Sequence, residues 1–312
     1  MIIVSTQNTY DWSQAQLYRF AGFSVVFQTP CKILSSFHVE EASVETVVQA
    51  SMTVQEHLDR SVQSSRPPIG YQGPAPFGDR QRDVTYRRDD EFATIELDDE
   101  LVCEMNLENS HIHLLRDGGF ANMVNVELVT GPAMMIVLAY LKTYCLHASA
   151  VRTKAGVVAF VGESGAGKST LAWQAGDGWQ QLSDDIAPIL YDPKRAGIQV
   201  STEFPQLKLE NAIAPTQIEQ AASVDFIVRL NPTPSSSISF KELTRAEAML
   251  QFVRHTVGVK LFDRKIMRRH SKFAQYVATK IPVIELSYPR DLLGLTDLRE
   301  EIVEYLSKLL AQ

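Results

Sequence analysis

The sequence GESGAGKST at residues 162–170 constrains this chain more than any other segment. It matches the pattern G-x-x-x-x-G-K-S, in which backbone N–H groups surround phosphate oxygens. An apolar run rich in β-branched residues precedes it at 157–161, and good helix formers follow it at 171–173. Strand, loop and helix are therefore predicted in that order. A chance glycine-rich turn is the competing interpretation, and the two flanks make it the weaker one.

Each position of this segment has a chemical reason in a phosphate site. Gly162, Gly165 and Gly167 carry no Cβ, so the backbone can take positive φ values and turn its N–H groups inward. These donors stand at a helix N-terminus, where the helix dipole favours an anion. Lys168 would reach the β- and γ-phosphates, and the Ser169 hydroxyl would bind Mg²⁺. The predicted nucleotide-binding residues are Gly162, Glu163, Ser164, Gly165, Ala166, Gly167, Lys168, Ser169 and Thr170.

Two adjacent carboxylates, Asp184 and Asp185, follow the next apolar segment. One helix and one return strand separate them from Lys168, so the carboxylates can lie across from the phosphates. One of them could hold Mg²⁺, and the other could accept a proton from an attacking hydroxyl. The predicted metal ligands are Ser169 and Asp184. A turn with solvated aspartates is the alternative, and the position after a P-loop makes it less favoured.

Composition limits the classes of partner and compartment. The chain has 312 residues and a formal net charge of −7, which argues against nucleic acid as the main partner. Its three cysteines are far apart, so neither a disulfide framework nor a zinc site is expected. The N-terminus lacks a secretory signal pattern, and the longest apolar run, 134–141, is too short to span a bilayer. We expect a cytoplasmic protein without membrane contact. The oligomeric state is open, and a homo-oligomer is compatible with the sequence.

The patterns predict a mixed α/β protein of two domains. Residues 1–130 are predicted to form a small β-rich domain with an antiparallel meander over 92–97, 101–107 and 111–116. Residues 61–90 are rich in Ser, Pro, Gly and Arg, and are predicted to be a flexible loop. Its arginines, Arg80, Arg82, Arg87 and Arg88, could receive a phosphate or an acidic partner, or could be solvated.

Residues 131–312 are predicted to form the P-loop domain with a mixed sheet. A buried helix is expected over 133–144, and a capping box at Thr244 and Glu247 predicts a helix through His255. A basic helix over 261–279 and a last amphipathic helix from Thr296 to Leu310 follow, with a strand at 282–287 between them. The basic helix could position a substrate, or it could be a solvated face.

Several motifs together resemble one known group, the HPr serine kinase/phosphorylase superfamily. The similarity is closest to its HPr-kinase-like relatives beside ribosomal-peptide gene clusters, including lasso peptide kinases, and covers residues 146–310. The motifs are LHASAV with His147, the GESGAGKST segment, LSDDI with Asp184 and Asp185, FPQLKL with Lys208, FVRHT with Arg254 and His255, and SYPRDL with Arg290.

The resemblance implies a role for each of these positions. It implies that ATP phosphates and Mg²⁺ are bound at 162–169, and that Asp185, more than Asp184, is the general base. His147 would polarise a phosphate or orient the acid pair; a structural histidine is the alternative. The remaining cations would neutralise the transferred phosphoryl group or anchor an anionic substrate end, or would form ion pairs inside the domain; they are Arg254, Lys208 and Arg290.

The function implied is an ATP- and Mg²⁺-dependent kinase of a peptide serine, namely the C-terminal Ser of a lasso peptide precursor. The resemblance does not extend to HPr as substrate or to phosphorolysis, because Thr170 replaces an acidic residue and the C-terminal Asn- and Arg-rich signature is absent from the sequence. Two alternatives stay open. One is a kinase of a small hydroxyl compound such as serine or a sugar, and the other is a nucleotide-binding regulatory ATPase without an acceptor.

Overall fold

The computed structural model describes residues 15–39, 51–56, 67–77, 80–116, 118–173, 178–192, 197–202, 204–205, 221–235, 237–290 and 295–311. The backbone divides into two compact units, Met1–Met134 and Met135–Gln312. The sequence placed the boundary between residues 130 and 131. The first unit is mostly sheet and the second combines sheets with helices, so the protein is of the mixed α/β class. Its cysteines, Cys31, Cys103 and Cys145, are buried.

The first unit contains a sheet of eight strands in the order β1-β2-β3-β8-β7-β6-β5-β4. Neighbours pair antiparallel except for β2 with β3 and β3 with β8, which are parallel. The strands are β1 Gln16–Phe20, β2 Phe23–Phe27, β3 Ser51–Glu56, β4 Ile69–Phe77, β5 Arg80–Arg88, β6 Phe92–Leu97, β7 Glu100–Asn106 and β8 His111–Leu114.

The predicted meander is confirmed as β6, β7 and β8, which pair antiparallel in sequence order. The turn between β6 and β7 is tight because Asp98 and Asp99 adopt left-handed φ values of 52° and 65°. Aspartate tolerates this region better than most residues, since its short side chain can bond locally. Asp98 and Asp99, which lie between two of the predicted strands, therefore form the turn.

The predicted loop over 61–90 is wrong where the structure describes it, because β4 and β5 form an antiparallel hairpin there. Because Pro74 and Pro76 are typical of loops, the sequence did not predict this strand. Both lie in β4, which is an edge strand of the sheet, and edge strands tolerate proline because one of their sides needs no N–H donors for pairing. Val84 and Tyr86 of β5 are buried and anchor the hairpin to the core.

The arginines of this hairpin contact neighbouring residues, and Arg80 is also solvated, with a side chain that is 62% exposed. Arg80 and Arg82 both pair with Asp98, at 3.2 and 2.8 Å, and Arg87 pairs with Glu96 of the adjacent strand at 2.9 Å. The fourth, Arg88, is only 6% exposed and donates to the carbonyl of Asp89. These side chains connect β5 to its neighbours, so the phosphate-binding alternative for them finds no support in the described contacts.

A helical stretch crosses the division between the units. It consists of α1 Met123–Leu128, a π-helical turn Val129–Ala133 that contains Pro132, and α2 Met134–Tyr140. The helix predicted for 133–144 ends earlier, because the chain turns and enters a strand at Tyr144. The helical stretch Met123–Tyr140 has the length and, with a mean hydropathy of 1.5, the composition of a helix that could cross a membrane. The sequence prediction, which considered only the apolar run 134–141, had found it too short. In the structure 67% of this stretch is buried, as in the core helix of a globular protein.

The second unit is built on a six-stranded sheet of order β12-β10-β11-β16-β18-β17. Three consecutive strands, β11, β16 and β18, are parallel. β10 pairs antiparallel with β11, β17 pairs antiparallel with β18, and β12 pairs antiparallel with β10. These strands are β10 Ala148–Thr153, β11 Gly156–Val161, β12 Gln180–Ser183, β16 Phe226–Thr233, β17 Ser239–Glu242 and β18 Val283–Pro289.

Helices cover both faces of this sheet. Side chains alternate along β11, so Val157, Ala159 and Val161 join one apolar cluster, and Val158 and Phe160 join another. The first cluster contains residues of α4 Arg245–Arg254 and α5 Arg264–Lys280. The second contains residues of α3 Lys168–Trp173 and α6 Leu295–Leu310. The sheet therefore lies between two helical layers, and β11 is buried on both sides.

A second, four-stranded sheet of order β15-β14-β13-β9 completes this unit, and all its neighbours are antiparallel. Its strands are β9 Tyr144–Leu146, β13 Ala187–Asp192, β14 Gly197–Ser201 and β15 Ala221–Ser223. The predicted capping box is confirmed: the Thr244 side chain accepts from the Glu247 N–H, and the Glu247 carboxylate accepts from the Thr244 N–H.

Candidate active site

The glycine-rich segment lies between β11, which ends at Val161, and α3, which begins at Lys168. Gly165 and Gly167 adopt φ values of +79° and +87°, a conformation that other residues rarely take. At Gly162 the reason for glycine is space, because an added Cβ would lie 3.0 Å from the carbonyl oxygen of Leu230 in β16. Strand, loop and helix thus follow the predicted order.

Lys168 is 6% exposed, and its ammonium group is turned back onto the loop. Its Nζ donates to the carbonyl oxygens of Gly162 at 2.9 Å and Glu163 at 3.2 Å. A positive charge is thereby held against the start of the loop. Ser169 and Thr170, the next residues of α3, are exposed and available to a ligand at this helix end.

Tyr288 of β18 supports the same loop from the sheet. Its hydroxyl donates to the carbonyl of Ala166 in a short hydrogen bond, and a Cβ at Gly167 would lie 3.2 Å from that hydroxyl oxygen. Burial raises the pKa of Tyr288, so the group stays a donor at neutral pH. Sequence reasoning missed this residue, although it lies inside the SYPRDL motif, because 122 residues separate it from Ala166.

Within the described residues, the chain passes between the two sheets of this unit at three points, and two of them carry predicted site residues. His147 stands between β9 and β10, and the Asp184-Asp185 pair stands in the connection from β12 to β13. The two passages lie side by side, since Leu146 pairs with Ala187 and β10 pairs with β12. Ala148 also pairs with Val161, the residue before the glycine loop. The pairing therefore brings all three segments to one edge of the large sheet.

His147 contacts Asp185 directly. Its Nδ1 lies 3.1 Å from the Asp185 carbonyl oxygen and 3.3 Å from the carboxylate oxygen Oδ1. The two side chains are 38% and 25% exposed, so a ligand can reach them. A hydrogen on Nδ1 would orient the imidazole against Asp185 and leave Nε2 for another partner.

Asp184 is held much more firmly. It is 4% exposed, and its Oδ1 accepts from the Ser149 hydroxyl at 2.5 Å and from the Asp185 N–H at 2.9 Å. Ser149 has no exposed surface. Sequence reasoning quoted Ser149 only within the LHASAV motif and gave it no role.

The backbone at Asp185 is strained. Its φ is +62°, and the Ile186 N–H donates to the Asp184 carbonyl at 2.8 Å, which closes a three-residue turn. The Ser183 hydroxyl secures the turn by donating to the Ile186 carbonyl at 2.6 Å. Non-glycine residues in such conformations cost about 1–3 kcal/mol and cluster at functional sites. The turn projects Asp185 from the passage between the sheets.

Arg254 forms an ion pair with Glu163, a residue of the glycine loop. Arg254 Nη2 lies 2.6 Å from Glu163 Oε1, and the side chains are 58% and 68% exposed. Exposed pairs of this kind add little stability. The contact places Arg254, the last residue of α4, beside the glycine loop, as expected for a residue that meets phosphate charge.

His255, which follows Arg254, also belongs to this region. Its carbonyl accepts from the His147 N–H at 2.8 Å, and Leu146 forms a β-bridge with Thr256. Burial lowers the pKa of His255 to about 4, the Glu163 carboxylate opposes the shift, and Arg254, Lys168 and Arg229 add to it. Sequence reasoning named His255 within the FVRHT motif and gave it no role in the site.

The other predicted anion-binding residues are less well placed. Arg290 is exposed at the end of β18, and its backbone N–H donates to the Thr233 carbonyl at 3.1 Å. Lys208 lies outside the described residues. In their place, Arg229 of β16 stands in register with Val161 and pairs with Glu285 of β18 in a short contact.

Within the described part of the chain, no group of three or more His, Cys, Asp or Glu side chains is arranged to hold a metal ion. Protein sites for Mg²⁺ beside nucleotides need few protein ligands, because phosphate oxygens and waters supply the rest. The exposed Ser169 hydroxyl and the firmly held Asp184 carboxyl group are of the type such a site requires.

Comparisons with known proteins give little further definition. No model of a protein family matches the chain, and no curated protein matches it. Among solved structures, that of the Hpr(Ser) kinase/phosphatase from Coxiella burnetii is similar with 13% sequence identity and a TM-score of 0.33. The match covers 54% of this chain and 99% of that one. Similarity at this level carries no argument about function, which is therefore argued from the residues.

Proposed function

We propose that this protein is an ATP- and Mg²⁺-dependent kinase that transfers the γ-phosphoryl group to a serine hydroxyl of a peptide. One observation carries the proposal. Three segments lie at one sheet edge, namely the glycine loop with Lys168, His147 in contact with Asp185, and Asp184 fixed by Ser149. A phosphate cradle beside an accessible carboxylate is the combination that phosphoryl transfer to an alcohol requires.

The nucleotide phosphates would be held by the loop N–H groups and Lys168. These donors would stabilise the charge that spreads over the transferred group. Ser169 and Asp184 would hold Mg²⁺, which when bound neutralises phosphate charge. Because Asp184 is fixed by two hydrogen bonds, its position does not depend on the substrate.

Asp185 would act as the general base. In the transfer, the serine oxygen forms a bond to the γ-phosphorus, the bond from that phosphorus to the β–γ bridging oxygen breaks, and ADP leaves with the electron pair. The hydroxyl proton passes to the Asp185 carboxylate. His147, 3.3 Å from Oδ1 of Asp185, would orient this carboxylate. Arg254 would turn from Glu163 to the phosphoryl oxygens.

The choice of acceptor comes from the sequence resemblance to lasso peptide kinases. It leads us to propose the C-terminal Ser of a ribosomal precursor peptide as substrate. A small hydroxyl compound would be a substrate without any precursor sequence, and a regulatory ATPase would need no base beside an acceptor. The accessible Asp185 favours a kinase over the regulatory ATPase.

The proposal is tested by mass spectrometry of a precursor peptide ending in Ser after incubation with ATP and Mg²⁺. We expect the wild type to add the mass of one phosphate, and Lys168→Ala and Asp185→Asn to add none. Asp297→Asn, an exposed aspartate in the first turn of α6, is the matched control and should keep wild-type activity. Phosphorylation of free serine or a sugar instead of the peptide would contradict the peptide assignment. ATP hydrolysis without any acceptor would contradict the kinase.

A further inference from the structure

His255 has a buried polar atom whose partner is absent from the described residues. The residue is 7% exposed, and its Nε2 has no hydrogen-bond partner within the part of the chain that the structure describes. A buried donor or acceptor without a partner costs free energy, so native proteins pair nearly all of them with protein, water or ligand. A partner for this nitrogen is therefore to be sought among the ligands of the site.

The backbone fixes His255 beside the candidate catalytic pair. It follows the last residue of α4, and the next residues run along β9, with the Val257 N–H donating to Cys145 and the His147 N–H donating to His255. His147 is in turn bonded to Asp185. The position is thus set by a helix end on one side and a strand on the other, and does not depend on a loop.

The charges that act on His255 come from the glycine loop and its surroundings. Three are positive, Lys168, Arg254 and Arg229, and one is negative, Glu163. Arg254 and Arg229 are in turn paired with Glu163 and Glu285, and the cations around His255 favour an anionic ligand. The imidazole is neutral at neutral pH because burial lowers its pKa to about 4. A neutral imidazole with its hydrogen on Nε2 adds a donor to the site without adding charge.

We propose that Nε2 of His255 donates a hydrogen bond to the terminal phosphate of bound ATP. The inference rests on the proposed function and deepens it, because the terminal phosphate would lie between Lys168 and the base Asp185. His255 lies near these same groups, since the charges of Lys168 and Glu163 act on its imidazole and its carbonyl accepts from the His147 N–H. The residue would thus distinguish ATP from ADP, which lacks that phosphate.

The test compares ATP and ADP affinities by calorimetry for the wild type, His255→Phe and His255→Gln. The Phe variant loses the donor, and we expect its ATP affinity to fall about tenfold or more, as for a hydrogen bond to a charged group. Its ADP affinity should stay at the wild-type value. The Gln variant carries an amide N–H near the position of Nε2, so its ATP affinity should recover most of the loss.

His270 supplies the matched control. It is also a buried histidine of this unit with a pKa lowered to about 4 by burial. Its Nδ1 likewise has no partner among the described residues, but its Nε2 is bonded to Thr256 Oγ1 at 2.9 Å and its ring packs against Tyr144, Phe252 and Phe262 instead of the glycine loop. His270→Phe should lower the melting temperature and leave ATP affinity unchanged. His255→Phe should keep the melting temperature and lower the ATP affinity, since it replaces an unsatisfied nitrogen with carbon.

The outcomes separate this inference from the proposed function. If wild-type protein binds ATP and His255→Phe binds it equally well, the inference is overturned and the kinase assignment is unaffected. If the wild type does not bind ATP, the proposed function fails and the inference fails with it. If the Phe variant does not fold, the ¹⁵N signal of the His255 side chain in wild-type protein decides. ATP should shift this signal and ADP should not, and equal shifts would overturn the inference.

Discussion

The Ser149 hydroxyl donates to Oδ1 of Asp184 over 2.5 Å, and neither side chain has appreciable contact with solvent. The same oxygen accepts the Asp185 N–H, so Asp184 is immobilised while its neighbour stays accessible. Two adjacent carboxylates of identical chemistry are thereby given different surroundings. This difference is the physical basis for assigning the fixed carboxylate to charge and the accessible one to proton transfer.

Replacing Ser149 with Ala removes the donor that fixes Asp184. We expect the free energy of unfolding to fall by about 1–3 kcal/mol, because a buried charged acceptor loses a partner. Phosphorylation should slow as well, since Asp184 is no longer held in place. Urea unfolding and initial rates measure the two effects. Ser239→Ala, at an exposed position of β17, is the control and should change neither. Unchanged stability in Ser149→Ala would contradict the importance of this bond.

Asp185 gives a test in which stability and activity separate. Asn tolerates the left-handed φ of +62°, so Asp185→Asn should unfold at the wild-type urea concentration while kcat falls about 10²- to 10⁴-fold with the loss of the base. Ala lacks that tolerance, and Asp185→Ala should also lose about 1–2 kcal/mol of stability. Equal stability of the Asn and Ala variants would show that the turn is not strained.

Tyr288→Phe removes one hydroxyl from beneath the glycine loop and keeps the buried ring. Because the Ala166 carbonyl loses its donor, we expect weaker ATP binding, by roughly fivefold to tenfold, with little change in the melting temperature. Titration with a fluorescent ATP analogue measures the effect. Tyr305→Phe, in which the ring stacked on Phe240 is retained, is the matched control. A Tyr288→Phe variant with wild-type affinity would show that the loop holds its shape unaided.

The buried His270 predicts a specific dependence of stability on pH. Its pKa is lowered from 6.5 to about 4, so between these values the unfolded chain binds a proton that the native state does not. Stability should therefore fall as the pH is lowered from about 6.5 towards 4. Urea unfolding at pH 7 and pH 5 measures the loss. His270→Leu should be less stable at pH 7 but should lose less on acidification, and an equal loss would contradict the assignment.

Local patterns predicted the parts of the site that are local in the chain. The strand, loop and helix around 162–170 and the Thr244 capping box each depend on a few neighbouring residues, and both are found where the sequence predicted them. Glycine is required where a Cβ would collide or φ is positive, so its spacing in the sequence reports the backbone directly.

Relationships between distant segments could not be predicted in this way. The contact of His147 with Asp185 depends on two passages between sheets, and Tyr288 and His255 reach the site from far along the chain. The β4–β5 hairpin was missed for a related reason. Its buried faces exist only after pairing with β6, and its prolines are typical of loops unless the strand is known to be at an edge.

The parallel order β11-β16-β18 has a consequence for biosynthesis. β11, the strand before the glycine loop, pairs with its first parallel neighbour, β16, which lies 65 residues or more further along the chain. The hydroxyl that supports the loop belongs to Tyr288 of β18, which lies further along still. Non-local pairing of this kind forms late, since the intervening chain must be closed first. A ribosome that has released only the loop and its helix has made the recognisable motif but not a working nucleotide site. Nascent chains should acquire nucleotide affinity only after β18 has emerged.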